Sequence, residues 1–244
     1  MQKKAIAGNM ATGWLKIIAL VFMMCDHMGK MIFPHIPEMR ILGRIAFPIY
    51  AWCLVVGACH TRCMWKYMLR IGVIGLISQP LYMVALNHTW REPNIFLTLL
   101  VALLGLWGLR ERKWLSHIWV PALALVLAVT LRVDYGWKGV LLVLLLYAAR
   151  NSRSALAAVM VAFCLYWGSG SGAVTSFFGL RLSTPVRELN TLLQPWLRLQ
   201  GLAILSLPFM LWRCPWKLKL PAWVGYGLYP AHLVVLWVLT RLAA

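Results

Sequence analysis

The chain has 244 residues, 62% of them hydrophobic and 12% charged, with 24 basic against 6 acidic residues for a formal net charge of +18. A soluble domain is about half apolar and about a quarter charged, so these proportions exclude one. They predict an all-α fold, a polytopic integral membrane helical bundle forming a single domain over residues 1–244. The cations are scattered through short loops, which suits membrane topology and anionic headgroups and argues against a nucleic-acid partner.

The first apolar run is Trp14 to Phe33, WLKIIALVFMMCDHMGKMIF, about 30 Å as a helix and so one bilayer thick. Further spans are expected from Ile41 to Cys59, Lys66 to Leu86, Asn94 to Leu109, His117 to Leu131, Gly139 to Ala149, Ser154 to Trp167, Trp196 to Trp212 and Ala222 to Leu239. That makes about nine, with eight to ten inside the error of span boundaries. The sixth and seventh are short and must tilt, thin the bilayer or lie inside the bundle. Gly168 to Gln194, rich in Gly, Ser and Thr, reads as a long external loop with one interfacial or re-entrant piece near Ser176–Leu182. Lys3 and Lys4 precede the first span, and a modest excess of basic residues on that side places the N-terminus in the cytoplasm. The first run carries Asp26 and lacks a small-residue cleavage site, so it is not a signal peptide. The six cysteines show no C-x-x-C pattern and read as small buried hydrophobes. His35, His60, His88 and His117 lie in or near loops without metal-ligand spacing, and no metal is expected.

Several residues stand where hydrocarbon does not want them. Asp26 and His27 lie within the first span, and a charge there costs at least about 2.5–3.5 kcal/mol. His232 lies in the last span with Tyr229 one turn before it. Counted along their helices, Asp26 and His232 fall at nearly one depth, about 18 and 15 Å from the cytoplasmic side. Arg44 opens the second span, Asn94 and Thr98 the fourth, and Asp134-Tyr135 caps the fifth. Each has a plain structural alternative: Asp26 paired with Arg44 or Lys30, the histidines as interhelical hydrogen bonders, Asp134 as a turn residue. Arg62, Lys66 and Arg70 form a cationic stripe one turn apart, either topological or a landing site for phosphates.

KIIALVFMMCDH, LGRIAFPIYAW, HTR followed by KYMLR, LISQPLY, NIFLTLL, DYG and GYGLYPAHL occur in this order at spacings that resemble the TraX family, over Lys16 to Leu233. Arg181 to Lys219 matches the family pattern poorly, and Trp212-Arg213-Cys214 replaces an Asn-Gly-containing turn. The resemblance implies a multi-pass protein of the bacterial inner membrane. It further implies an acetyltransferase that uses acetyl-CoA as donor and a pilin subunit's N-terminal amine as acceptor.

The residues suit that chemistry. An amine attacking a thioester must lose a proton to a base, and the developing oxyanion needs a donor. His27 is the expected base, Asp26 its orienting partner or the anchor of Arg44, and Arg44 the electrostatic stabiliser; His232 is the second candidate base. Arg62, Lys66 and Arg70 would meet coenzyme A, and Asn94, Asp134, Tyr135 and Tyr229 would contact substrate or oxyanion. The rival expectation is a proton-coupled transporter using the same buried Asp/His/Arg centre, against which stands the absence of an internal repeat. A non-catalytic scaffold leaves the clustering of ionisable residues unexplained.

Overall fold

The structure, a computed structural model, describes residues 6–111, 113–182, 187–212, 218 and 220–242. Lys3 and Lys4, and the basic turn of Arg213, Lys217 and Lys219, lie outside the described residues. The first helices are α1 (Thr12–Met31), α2 (Pro37–Gly43), α3 (Ala46–His60) and α4 (Met64–Leu86). There follow α5 (Ile95–Glu111), α6 (Ser116–Thr130), α7 (Gly136–Ala149) and α8 (Arg153–Ser169). Then come a hairpin of β1 (Ser176–Phe177) and β2 (Leu180–Arg181), α9 (Arg187–Leu193), a 3-10 segment (Gly201–Ser206), α10 (Leu207–Leu211) and α11 (Ala222–Leu242). About 73% of the described residues are helical, so the fold is nearly all-α.

α3 is the axis, with α1, α5 and α7 packed around it. Its sequence is apolar on all sides, as a helix surrounded by others must be, and Ile49, Ala51, Trp52 and Val55 have no exposure. Trp52 still satisfies its one polar group by donating from Nε1 to the Asn9 carbonyl at 2.8 Å. With α2 and α3 counted as one broken run, the helices from α1 to α7 alternate in direction. The close of α3 meets the close of α5, where Arg110 donates to the carbonyls of Ala58 and Thr61 at 3.0 and 2.8 Å. The ends of α1 and α4 meet the starts of α2, α5 and α7 at the other end, called here the far end.

The second apolar run is broken, and the break builds the site. Pro48 has no N–H, and its ring crowds the carbonyl four residues back, that of Arg44. The turn there tightens, with Arg44 N–H on the Ile41 carbonyl and Ile45 N–H on the Leu42 carbonyl, both at 3.1 Å. α2 thus ends at Gly43 and α3 starts at Ala46.

Most expected spans correspond to one helix, and the differences have local causes. By length and hydropathy, two stretches among the described residues can cross a membrane by themselves, Pro37–His60 and Met64–Leu86. α7, 14 residues long, is short because it lies inside the bundle, with Leu142, Val143 and Leu146 fully buried. The expected eighth span is not a continuous helix. Its first residues form turns, and the rest is the 3-10 segment followed by five residues of α10, with Pro208 in its first turn. Near Ser176–Leu182 there is a β-hairpin, its two-residue turn supplied by Phe178 and Gly179 at φ +47° and +79°. The hairpin is tied to α2 by the Phe178 N–H, which donates to Glu38 Oε1 at 2.8 Å.

Candidate functional site at the far end

Asp26 and His27 are neighbours on α1, so their side chains leave the helix about 100° apart and face different elements. Asp26 faces the α2–α3 break. Its Oδ2 accepts from Arg40 Nη1 at 3.2 Å, and its Oδ1 accepts from Arg44 Nη2 in a closer contact. Arg40 and Arg44 share one helical face at one-turn spacing, and Arg44 Nε donates back to the Arg40 carbonyl at 3.2 Å. Gly43 permits this approach, because a Cβ there would fall inside the Asp26 side chain. One carboxylate between two guanidiniums leaves one positive charge unbalanced in the group.

His27 faces α11. Its Nδ1 lies 3.3 Å from His232 Nε2, with ring centroids 5.4 Å apart and planes 19° apart. That spacing is too wide for rings lying face to face and fits imidazoles joined edge to edge through nitrogen. One ring donates and the other accepts. Tyr229, one turn before His232, sets its ring edge-on to His232 at 4.9 Å and to Phe96 at 4.7 Å.

The opposite wall is the turn into α7. Tyr135 at φ +60° is followed by Gly136 at +58°, a conformation costly for a residue with a side chain and therefore held by its surroundings. Tyr135 stacks on Phe47 at 4.1 Å and meets Trp167 edge-on at 5.7 Å. Thr98 Oγ1 donates to the Asp134 carbonyl at 2.6 Å, and Asp134 Oδ1 accepts from the Tyr135 N–H at 3.0 Å. Withdrawal from water pushes the Asp134 carboxyl above the usual carboxylate range, against the opposing pull of the Tyr135 N–H and of Arg44. Withdrawal from water likewise pushes the Tyr135 phenol up.

These groups line a series of cavities along the bundle. A mouth cavity of about 290 Å³ holds Asp26, His27, Lys30, Arg40, Arg44, His88 and Asp134. A narrow one of about 40 Å³ behind it shares Asp26, His27 and Tyr135 and adds Tyr50 and Tyr229. The next, about 70 Å³, shares Tyr50 and Tyr229 and reaches Lys16. Lys16 also lines a cavity of about 750 Å³ at the end where α1 begins, with Thr12, Gly57 and His60. Adjacent cavities share walls, so the polar centre has neighbours leading to both ends of the bundle.

Asp26, His27, Arg44, Asp134, Tyr135, Tyr229 and His232 are therefore brought together. Asn94 is not. It caps α5, its Oδ1 accepting from the Phe96 N–H at 3.0 Å and its Nδ2 donating to the Gly75 carbonyl at 2.8 Å. Arg62, Lys66 and Arg70 are exposed and line none of these cavities, and Arg62 stands in the loop before α4, so only Lys66 and Arg70 share one helix; among the described residues the cation lining the cavities at that end is Lys16. Sequence reasoning passed over Arg40, Gly43 and His88. The one-turn spacing of Arg40 and Arg44, and that of His88 and Glu92, were the available signals.

The family model described as TraX protein matches residues 11–240. Over 106 residues the chain is 32% identical to the probable fimbrial assembly protein FimC, serogroup H1, of Dichelobacter nodosus, covering 38% of this chain and 43% of that protein. Over 148 residues it is 26% identical to the uncharacterized protein RP591 of Rickettsia prowazekii (strain Madrid E), covering 58% and 57%. The chain thus spans about half the length of the curated relatives it matches. No solved structure matches it.

Proposed function

The chain belongs to the TraX family, and on that premise we propose that it is a membrane-embedded N-acetyltransferase, moving an acetyl group from cytoplasmic acetyl-CoA to an acceptor amine, the N-terminus of a conjugative pilin subunit. A role in pilus assembly has the support of the fimbrial assembly relative. In this reading the chain is a multi-pass protein of the inner membrane with the start of α1 on the cytoplasmic side, and its position among lipids is supported by the outward faces of the helices. Trp65, Leu69, Leu76 and Ile77 on α4, Ile118, Trp119 and Val126 on α6, and Val234, Val235 and Trp237 on α11 are all exposed. Water would not tolerate so continuous an apolar exterior, and lipid requires it.

The observation that carries the reading is the joining of His27 to His232 and of Asp26 to Arg44 at one buried centre with cavities on both sides. His27 takes the proton of the attacking amine. His232, bonded to the other ring, fixes its orientation and is the second candidate base. Arg44, with the charge that Asp26 does not balance alone, faces the developing oxyanion. Asp134, Tyr135 and Tyr229 shape the space around the acceptor. The cavity of about 750 Å³ is within the usual size of ligand sites, and Lys16 supplies a cation of the right sign for a phosphorylated thioester. Arg62, Lys66 and Arg70, exposed toward the same end, are a second set of phosphate contacts.

The test uses purified protein in nanodiscs with labelled acetyl-CoA, comparing wild type with His27→Ala and Arg44→Ala. Coenzyme A release is followed with and without a pilin-like peptide bearing a free N-terminal alanine. Peptide-dependent release that is lost in both variants supports the reading. Donor binding without turnover removes the pilin acceptor, and no donor binding favours the proton-coupled transporter.

A further inference from the structure

At the mouth of the same cavity stands a histidine that the reaction above does not use. His88 follows α4, where Asn87 turns left-handed at φ +55° and the His88 N–H returns to the Met83 carbonyl at 3.0 Å. The ring is fixed on three sides. Glu92 Oε1 lies 3.1 Å from its Nδ1, Lys30 Nζ lies 2.9 Å from its Nε2, and Tyr82 stacks on it with centroids 4.9 Å apart and planes within 3°. Glu92 is itself anchored, its Oε2 accepting from Thr89 N at 2.9 Å and Oγ1 at 3.2 Å. The partners decide the tautomer. A carboxylate only accepts, so Nδ1 carries the hydrogen; an ammonium only donates, so Nε2 presents its lone pair. A carboxylate-oriented imidazole aimed at an ammonium is the geometry in which a base takes a proton from an amine.

We propose that His88, oriented by Glu92, converts the incoming acceptor from ammonium to amine, and that Lys30 holds the place of that ammonium in the resting protein. The proposal rests on the acetyl-transfer reading, and the proton count of that reaction asks for it. An N-terminal amine, with an ordinary pKa of about 7.7–8.0, arrives mostly protonated at neutral pH. One proton must leave before nitrogen has a lone pair for attack. A second leaves as the N–C bond forms and the C–S bond breaks. Overall, R–NH3+ and CH3CO–S–CoA give R–NH–COCH3, HS–CoA and one H+. His88 takes the first proton and passes it to water at the mouth. His27 takes the second and returns it to the departing thiolate.

The surroundings suit an arriving peptide terminus. A second cavity of about 310 Å³, lined by Arg91, Glu92, Pro93 and Arg132, meets the mouth cavity at His88, Tyr82 and Asp134. It offers room for the chain behind the amine. The charged and imidazole groups facing these spaces are Asp26, His27 and Lys30 from α1, Arg40 from α2, Arg44 from the α2–α3 break, and Asp134 with Arg132 from the turn into α7. Arg91 and Glu92 come from the loop of His88 itself. Glu92 and Asp134 bring two carboxylates to the His88 side of the mouth, where an ammonium is drawn, while Asp26 is engaged by the arginine pair.

Two measurements on the full chain in nanodiscs test this. Peptide acetylation is followed from about pH 6 to about pH 9 for wild type, His88→Ala, Glu92→Gln and His27→Ala. The His88→Ala deficit should be about tenfold or more at the acid end and close to within about twofold at the alkaline end, where the acceptor has lost its proton unaided. Glu92→Gln should show the same trend more mildly, and His27→Ala should be low at every pH. Separately, alaninamide binding is measured by calorimetry. Lys30→Ala removes the resident ammonium and should tighten binding about tenfold, a gain that Lys30→Ala combined with His88→Ala should lose. A His88→Ala deficit equal at all pH values, or alaninamide affinity indifferent to Lys30, overturns the proposal. If no protein acetylates the peptide, the acetyl-transfer reading falls, and the alaninamide result alone decides whether this is an amine site.

Discussion

His27 on α1 and His232 on α11 are 205 positions apart in the chain, yet their Nδ1 and Nε2 atoms stand 3.3 Å apart. The contact makes the two rings one unit and gives them unequal parts. His27→Ala should lower kcat by about 10²–10⁴, the usual contribution of a positioned base. His232→Ala should cost about tenfold with little change in peptide KM, and His232→Gln, which keeps a hydrogen-bonding group near His27, should recover part of that loss. Coenzyme A release under saturating donor reads all three. Equal losses for the two alanine variants would make His232 the base, or the pair inseparable.

Asp26 holds the α2–α3 break together. Arg44 is 8% exposed and Arg40 33% exposed at the side chain. Asp26→Ala leaves a buried guanidinium without its counterion and should destabilise the protein by about 3–5 kcal/mol, whereas Arg40→Ala should cost about 1 kcal/mol or less. Gly43→Ala should resemble Asp26→Ala, because the added methyl occupies the carboxylate's place. Thermal unfolding in detergent orders the three. A Gly43→Ala protein as stable as wild type would show that Asp26 does not need its present position.

Asp134 gives stability a pH dependence of predictable sign. Its carboxyl is raised above an ordinary value of 3.8, chiefly by withdrawal from water. The folded state therefore favours the protonated form. This contribution is fully present below the ordinary value and is lost as pH rises through the raised one. Asp134→Asn is neutral throughout, so its melting temperature relative to wild type should climb by about a few degrees between about pH 4 and about pH 8. Parallel curves would mean that the attraction of Arg44 and the Tyr135 N–H offsets the withdrawal in full.

The two sets of cations near the start of α1 make different predictions for donor binding. Lys16 lines two cavities, so Lys16→Ala should weaken acetyl-CoA about tenfold or more, the worth of one charge-assisted contact. Combined replacement of the exposed Arg62, Lys66 and Arg70 should weaken it about threefold or less at physiological salt, since exposed charges are screened. Equilibrium dialysis with labelled donor measures both. The reverse order would place the phosphates on these exposed cations, outside the cavities.

The apolar runs were legible in the sequence because a helix buried among helices or facing lipid must be hydrophobic along its whole length. Spans one, three, four, five, six, seven and nine each correspond to one helix within a few residues. Trp196 to Trp212 misled for the converse reason. It is apolar enough to span, but composition is silent on how Pro195, Gly201 and Pro208 divide its backbone. The hairpin at Ser176–Arg181 was also missed, because two paired residues a side are too few to show an alternating pattern.

Of the site, the sequence by itself determined the inventory. Asp26, His27, Arg44 and His232 stand out because hydrocarbon penalises each of them, whatever the fold. Helical rise even placed Asp26 and His232 near one depth. Tertiary structure alone decided the pairings, since depth along an axis says nothing of rotation about it. Rotation gave Asp26 to the arginines and His27 to His232, and Pro48 opened the break that holds Arg44 there. Lys30 went to His88 rather than to Asp26. Asn94 was withdrawn from the centre to cap α5, because a helix start needs an acceptor for its free N–H groups and Asn94 stood at that position.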